Sequence, residues 1–212
     1  MSGHAGAARW LTIQDELLRG IAHTLSNRVA TIDAAAYMLQ FDGANIAAQS
    51  AVLRGEGELL EALVFALRAI PRRSDAAAEP VMPSDAVHAA LTLHAHHNEL
   101  RDIACETRIE PDVQPVFVDP LALQHALLVG LTAARSAAGT GGLAIVQVTG
   151  TDDSVQFSVT ARDVVHAAAD GGSDDAAAIG WLLSGYHGEC TVQHGGSSFR
   201  VPTLGAARRA GR

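Results

Sequence analysis

The chain has 212 residues, with 15 Lys and Arg against 23 Asp and Glu, a net charge of -8 and charged residues at only 18%. That acidic balance argues against a general nucleic-acid binder, which carries a basic surface. The length suffices for the core of one large domain or two small ones.

Aromatic residues make up 4% of a chain rich in alanine, which favours helices packed through small side chains. No apolar run reaches the length of a membrane span, and the start, MSGHAGAARW, lacks the regions of a signal peptide. Two cysteines, Cys105 and Cys190, cannot make a disulfide framework or a metal site by themselves. The expected setting is the cytoplasm, with neither membrane nor nucleic acid as partner.

Residues 1–8 are small and polar and read as a frayed leader. A first helix is expected from near Trp10 to about Gln40. Its residues Leu18, Ile21, Leu25, Val29, Ile32, Ala36 and Leu39 recur at steps of three and four, one continuous apolar stripe. His23 lies off that stripe, and Arg19 and Asn27, four residues to either side, share its outward face. An imidazole shown to solvent on a rigid helix suits proton or phosphoryl chemistry, although an isolated one is more often surface decoration. After a turn at 41–44, a second helix runs from about Asn45 to Ile70, weakened in its middle by Gly55 and Gly57. The two helices make a hairpin over 9–72 whose stripe stays partly wet. Two copies paired as a four-helix bundle cover it, so a homodimer is expected.

The segment 71–83 holds three of the seven prolines and reads as a linker. Beyond it come a helix from Asp85 to about Asn98, capped by Ser84 or Asp85, and strands at 102–110 and 116–118. Asp119 caps a helix opened by Pro120 and continued to Ala138, where glycines 139, 141 and 142 stop it. Strands at 143–148 and 154–160 flank a hairpin turn. A loop from about His166 to Asp175, a helix from Ala176 to Tyr186, and strands at 189–193 and 198–201 complete an α+β sandwich over 83–204 with an antiparallel-rich sheet. The tail 205–212 is expected to be disordered.

This order of parts resembles the cytoplasmic core of sensor histidine kinases. The run His23-Thr24-Leu25-Ser26-Asn27-Arg28-Val29 is similar to the family's histidine box, and Val118 to Leu128 is similar to the lead into its asparagine box. Tyr186 to Glu189 and Gly195 to Val201 resemble its terminal helix and strands. The likeness spans about residues 10–204 and implies a dimerising hairpin that carries a phospho-accepting histidine, followed by a two-layer ATP-binding domain.

Three departures change what the resemblance implies. The asparagines that hold magnesium on the nucleotide fall at Gly130 and Ala134, which offer no side-chain oxygen to a hard cation. The Asp-x-Gly-x-Gly turn is replaced by Val159-Thr160-Ala161-Arg162-Asp163-Val164-Val165. The phosphate turn expected before the last helix reads Asp174-Asp175-Ala176-Ala177-Ala178-Ile179, whose carboxylates repel phosphate.

A histidine hairpin with a degenerate ATPase-like domain is similar to the histidine phosphotransferases of bacterial phosphorelays. The resemblance implies that His23 carries a phosphoryl group between receiver-domain aspartates, with response-regulator receivers as partners. No cofactor is expected on this chain, and magnesium is expected on the receiver. Arg19 and Arg28 are candidates to neutralise phosphoryl charge, and Asn27 to bond the imidazole. Thr24 stands where autokinases usually carry an acid. Two alternatives stay open: an autophosphorylating kinase with a remodelled nucleotide site, and a non-catalytic dimeric scaffold that docks a receiver.

The histidines at 88, 94, 96 and 97 invite a metal reading, since His94 and His97 are three apart on a helix. Lacking a third ligand from another element, they read as a surface cluster. Cys105 and Cys190 read as small packing residues. Trp10 is expected to anchor the start of the first helix, and Trp181 to face inward from the last.

Overall fold

The computed structural model describes residues 2–41, 45–70, 77–97, 102–165, 171–186, 189–193 and 195–210. The architecture is α+β, a long helical hairpin followed by an α/β sandwich. Helix α1 (Ser2–Met38) is unbroken, about 55 Å long at 1.5 Å per residue. Helix α2 (Ile46–Arg68) returns alongside it, its first turn closed by Asn45, whose side chain accepts from the Ala48 N–H at 3.0 Å. Where the hairpin lies open, Arg28 of α1 meets Glu56 of α2 at 3.2 Å, and Glu56 is buried.

Strand β1 (Glu79–Val81) pairs antiparallel with β3 (Val116–Val118). It falls inside the stretch read as linker, of which 71–76 lie outside the described residues. Helix α3 (Pro83–His94) starts at Pro83 after Met82, two residues earlier than expected and without a side-chain cap. Strand β2 (Ala104–Ile109) runs parallel to β4 (Leu143–Gly150), which turns back into β5 (Ser154–Ala161). Strands β6 (Glu189–Gln193) and β7 (Gly196–Pro202) finish a five-stranded sheet of order β2-β4-β5-β7-β6. One face of β5, Val155, Phe157, Val159 and Ala161, is buried, and Phe157 stacks on Phe199 of β7 with ring centroids 5.3 Å apart. Helix α4 (Pro120–Ala138) covers that face. Asp119 accepts from the Leu121 N–H at 3.0 Å, as the cap-and-proline pattern predicts. Gly139, at φ 73°, ends the helix.

Helix α5 (Gly171–Leu182) packs against α4. It begins inside the stretch expected to be loop and ends before Tyr186, so Asp174 and Asp175 belong to the helix. A short helix α6 (Leu204–Ala210) replaces the expected disordered tail. The Thr203 hydroxyl accepts from the Ala206 N–H at 3.1 Å to start it, and Arg209 pairs with Asp153.

The largest departure from the sequence reading is at the N-terminus. The small residues of the expected leader are the first two turns of α1, packed on α5. Buried positions in the first half of α1 fall at Gly6, Trp10, Ile13, Leu17, Gly20 and Ile21, a stripe that shares only Ile21 with the expected one, and they face the sandwich. Of the expected stripe, Leu18, Leu25 and Val29 are exposed, as are Val52 and Leu59 of α2. Trp10 does not mark a helix start. It lies eight residues inside α1 and stacks on His125 of α4 at a centroid distance of 4.2 Å. Trp181 is half-buried, packed against the core as expected. No helix among the described residues is long and apolar enough to cross a membrane.

The reading of a surface histidine cluster also needs correction. His97 is 1% exposed, and neither ring nitrogen has a hydrogen-bond partner. Burial lowers its pKa from 6.5 to about 4; Glu16 of α1 opposes that shift, while Arg135 of α4, Arg9 of α1 and His94 add to it. His94 is half-buried, lowered by burial too, and its Nε2 lies 3.7 Å from the Cys105 sulfur. No group of three or more ligating side chains is assembled for a metal among the described residues.

A pH dependence follows. The folded state keeps His97 neutral where the unfolded chain protonates it, so this contribution is complete above about pH 6.5 and is lost as pH falls toward 4. Between pH 7 and pH 5 the loss is about 2 kcal/mol, with His94 acting in the same direction. Urea unfolding at the two pH values should show it, and His97→Phe should flatten the slope. Equal slopes for the two proteins would mean that His97 is not the group responsible.

Candidate functional site

Beyond Ile21, α1 emerges from the sandwich. His23 is the second residue past that point, exposed on the helix surface, as the sequence reading expects. The i to i+4 spacing sets Asn27 one turn further along the same face, with its Nδ2 3.3 Å from His23 Nε2. In the tautomer that carries its proton on Nδ1, the imidazole accepts the Asn27 amide N–H at Nε2. An exposed imidazole oriented by this contact can act as a nucleophile or accept a proton once Nε2 is released from Asn27.

The other candidates surround this pair without converging on it. Arg19 lies one turn before His23 and is exposed. Its guanidinium donates to Glu16 at 2.6 Å and to Asp15, and these carboxylates, Asp15 first, raise its pKa above the usual arginine value. Arg28 turns toward α2, where it meets Glu56. Thr24 is half-buried and its hydroxyl donates to the Gly20 carbonyl at 2.9 Å within the helix. His23 and Asn27 are therefore the two candidates joined by a direct contact, while the arginines meet acids of the hairpin itself.

The positions that the resemblance matches to a magnesium site are closed. Gly130 and Ala134 are buried in α4. A Cβ at Gly130 would sit 3.0 Å from both Ser197 Oγ and Val159 Cγ2. Where the resemblance expects a phosphate turn, Asp175 is 6% exposed and accepts from Arg9 Nε of α1 at 2.7 Å. Burial raises the Asp175 pKa, and the Arg9 charge holds it back. Both cysteine thiols are raised by burial, Cys190 to about 11, which suits packing rather than nucleophilic roles.

Sequence reasoning missed Arg9 and the burial of His97 and His125. His125 is fully buried and donates from Nε2 to the Ala69 carbonyl at 2.6 Å, at the end of α2. Only its place in an apolar run (Leu121 to Leu131) hinted that it is internal.

No family model and no curated protein matches the sequence. Solved structures to which the chain is similar include histidine kinases. The nucleotide-free catalytic domain of the histidine kinase ThkA matches 59% of this chain and 97% of its own at 12% identity and a TM-score of 0.48. The histidine kinase AdeS of Acinetobacter baumannii matches 85% of this chain and 96% of its own at 15% identity and a TM-score of 0.44. ThkA crystallised with the response regulator protein TrrA matches 92% of this chain and 63% of its own, at 14% identity and a TM-score of 0.47.

Proposed function

We propose that the protein is a cytoplasmic, homodimeric histidine phosphotransferase of a phosphorelay, and that His23 carries the phosphoryl group. The observation that carries this reading is the exposed His23 imidazole with Asn27 against Nε2. Released from Asn27, the Nε2 lone pair attacks phosphorus of a receiver's aspartyl phosphate, the bond from phosphorus to the carboxylate oxygen breaks, and the freed carboxylate stays on the receiver. The reverse attack, by a second receiver's aspartate, regenerates His23. Transfer of this kind depends on positioning and on the receiver's own magnesium. The exposed residues Leu18, Leu25, Val29, Val52 and Leu59 support the dimer, since such a stripe is costly to leave in water.

The closed position at Gly130 supports transfer without ATP. Gly130→Asn, which restores the family's ligand, should therefore lower stability by about 1–3 kcal/mol through overpacking against Val159 and bring no magnesium-dependent ATP binding. Denaturation and titration calorimetry read the two effects. A tolerated asparagine that binds nucleotide would instead favour the autophosphorylating kinase.

The test of the reading is labelling from a phosphorylated receiver without ATP, wild type against His23→Ala. Equal labelling of the two proteins ends it. The scaffold reading draws on Arg19 and Arg28, both already paired with acids of the hairpin. Receiver binding that survives His23→Ala, with no phosphate on either protein, would select it.

A further inference from the structure

We propose that residues 2–21 of α1 form a clasp that holds the sandwich in one fixed position beside His23, so that hairpin and sandwich move as a single body. Domains joined in one chain move relative to each other unless their interface is extensive and apolar, and here four kinds of contact oppose that motion. At Gly6 the α1 backbone approaches α5 so closely that a Cβ would lie 2.3 Å from the Ala177 carbonyl oxygen. One turn on, Arg9 meets the buried Asp175 at 2.7 Å. Opening the clasp breaks that partly buried ion pair. Trp10 stacks on His125, and the same imidazole bonds the Ala69 carbonyl, so one α4 side chain holds both helices of the hairpin. Ile13, Leu17 and Ile21 then join Leu63 and Ile70 of the hairpin, and Leu127 and Leu182 of the sandwich, in one continuous apolar core.

The clasp ends two residues before His23, so whatever approaches that imidazole meets the sandwich in a set place. A swinging domain, which could bring a bound group to the histidine from a distance, is incompatible with this core. The inference concerns mechanics alone and stands whether or not His23 is phosphorylated.

The test uses the full chain with Gly6→Leu as a wedge. Leucine is a better helix former than glycine, so α1 itself is not weakened. Gly3→Leu, where an added Cβ meets nothing within 4 Å, is the matched control. Amide hydrogen exchange in Gly6→Leu should be at least about tenfold faster through residues 7–17 and α5, with β5 and β7 unchanged. Backbone relaxation should give one rotational correlation time for hairpin and sandwich in the wild type and in Gly3→Leu, and two in Gly6→Leu. Two correlation times in the wild type, or exchange in Gly6→Leu equal to the control, overturns the proposal. If Gly6→Leu loses protection throughout, Arg9→Gln, which removes one ion pair and little else, decides: faster exchange confined to α1 and α5 supports the clasp, and no change overturns it.

Discussion

Replacing His23 with alanine is expected to abolish labelling from a phosphorylated receiver, a fall of roughly a thousandfold or more in rate, because the nucleophile itself is removed. The fold should not respond. The side chain is exposed, its one hydrogen-bond partner among the described residues is Asn27, and exposed substitutions of this kind change stability by about 0.5 kcal/mol or less. Alanine also favours the helix. Circular dichroism and the melting temperature should match the wild type while the label disappears, which separates lost chemistry from lost structure. A variant that melts normally and still takes up phosphate would move the acceptor elsewhere.

Trp10→Ala should have the largest effect on stability, a loss of about 3–5 kcal/mol, the usual range for deleting a buried aromatic side chain. The indole is 1% exposed and stacked on His125. Its removal leaves a void between α1 and α4 and frees the imidazole that binds the end of α2. Urea unfolding would measure the loss. A change below about 1 kcal/mol would mean that α1 rests on the sandwich without contributing to its stability.

How far the chain can be read without coordinates depends on how local each signal is. The α4 start was legible because Asp119 and Pro120 act within one turn, and the β4–β5 pairing because its turn residues lie between the strands. The face carrying His23 and Asn27 followed from helical spacing alone. The packing of α1 on the sandwich was not legible. Its partners, Gly6 with Ala177 and Arg9 with Asp175, lie more than 160 residues apart in the chain. Gly6 and Arg9 are residue types that in isolation suit a loose leader. His97 misled for a related reason: a polar type predicts exposure, whereas in the fold it is buried near Glu16 and Arg9 of α1 and Arg135 of α4. The missing magnesium ligands were visible as letters, whereas the wall of Val159 and Ser197 that fills their place required the fold.

The pairing of Gly6 and Arg9 with α5 also bears on synthesis. Trp10, Ile13 and Leu17 are made well before the sandwich residues of their shared core, which include His125 and Leu127 of α4 and Leu182 of α5. Until α4 and α5 have been made, these apolar side chains have only the hairpin to cover them, and such exposed surface is what chaperones bind and aggregates grow from. Contacts so distant along the chain also slow folding, because a long loop must close before they form. The core around α1 is thus closed by residues made long after it, and the growing chain carries that helix only partly covered until α5 is complete.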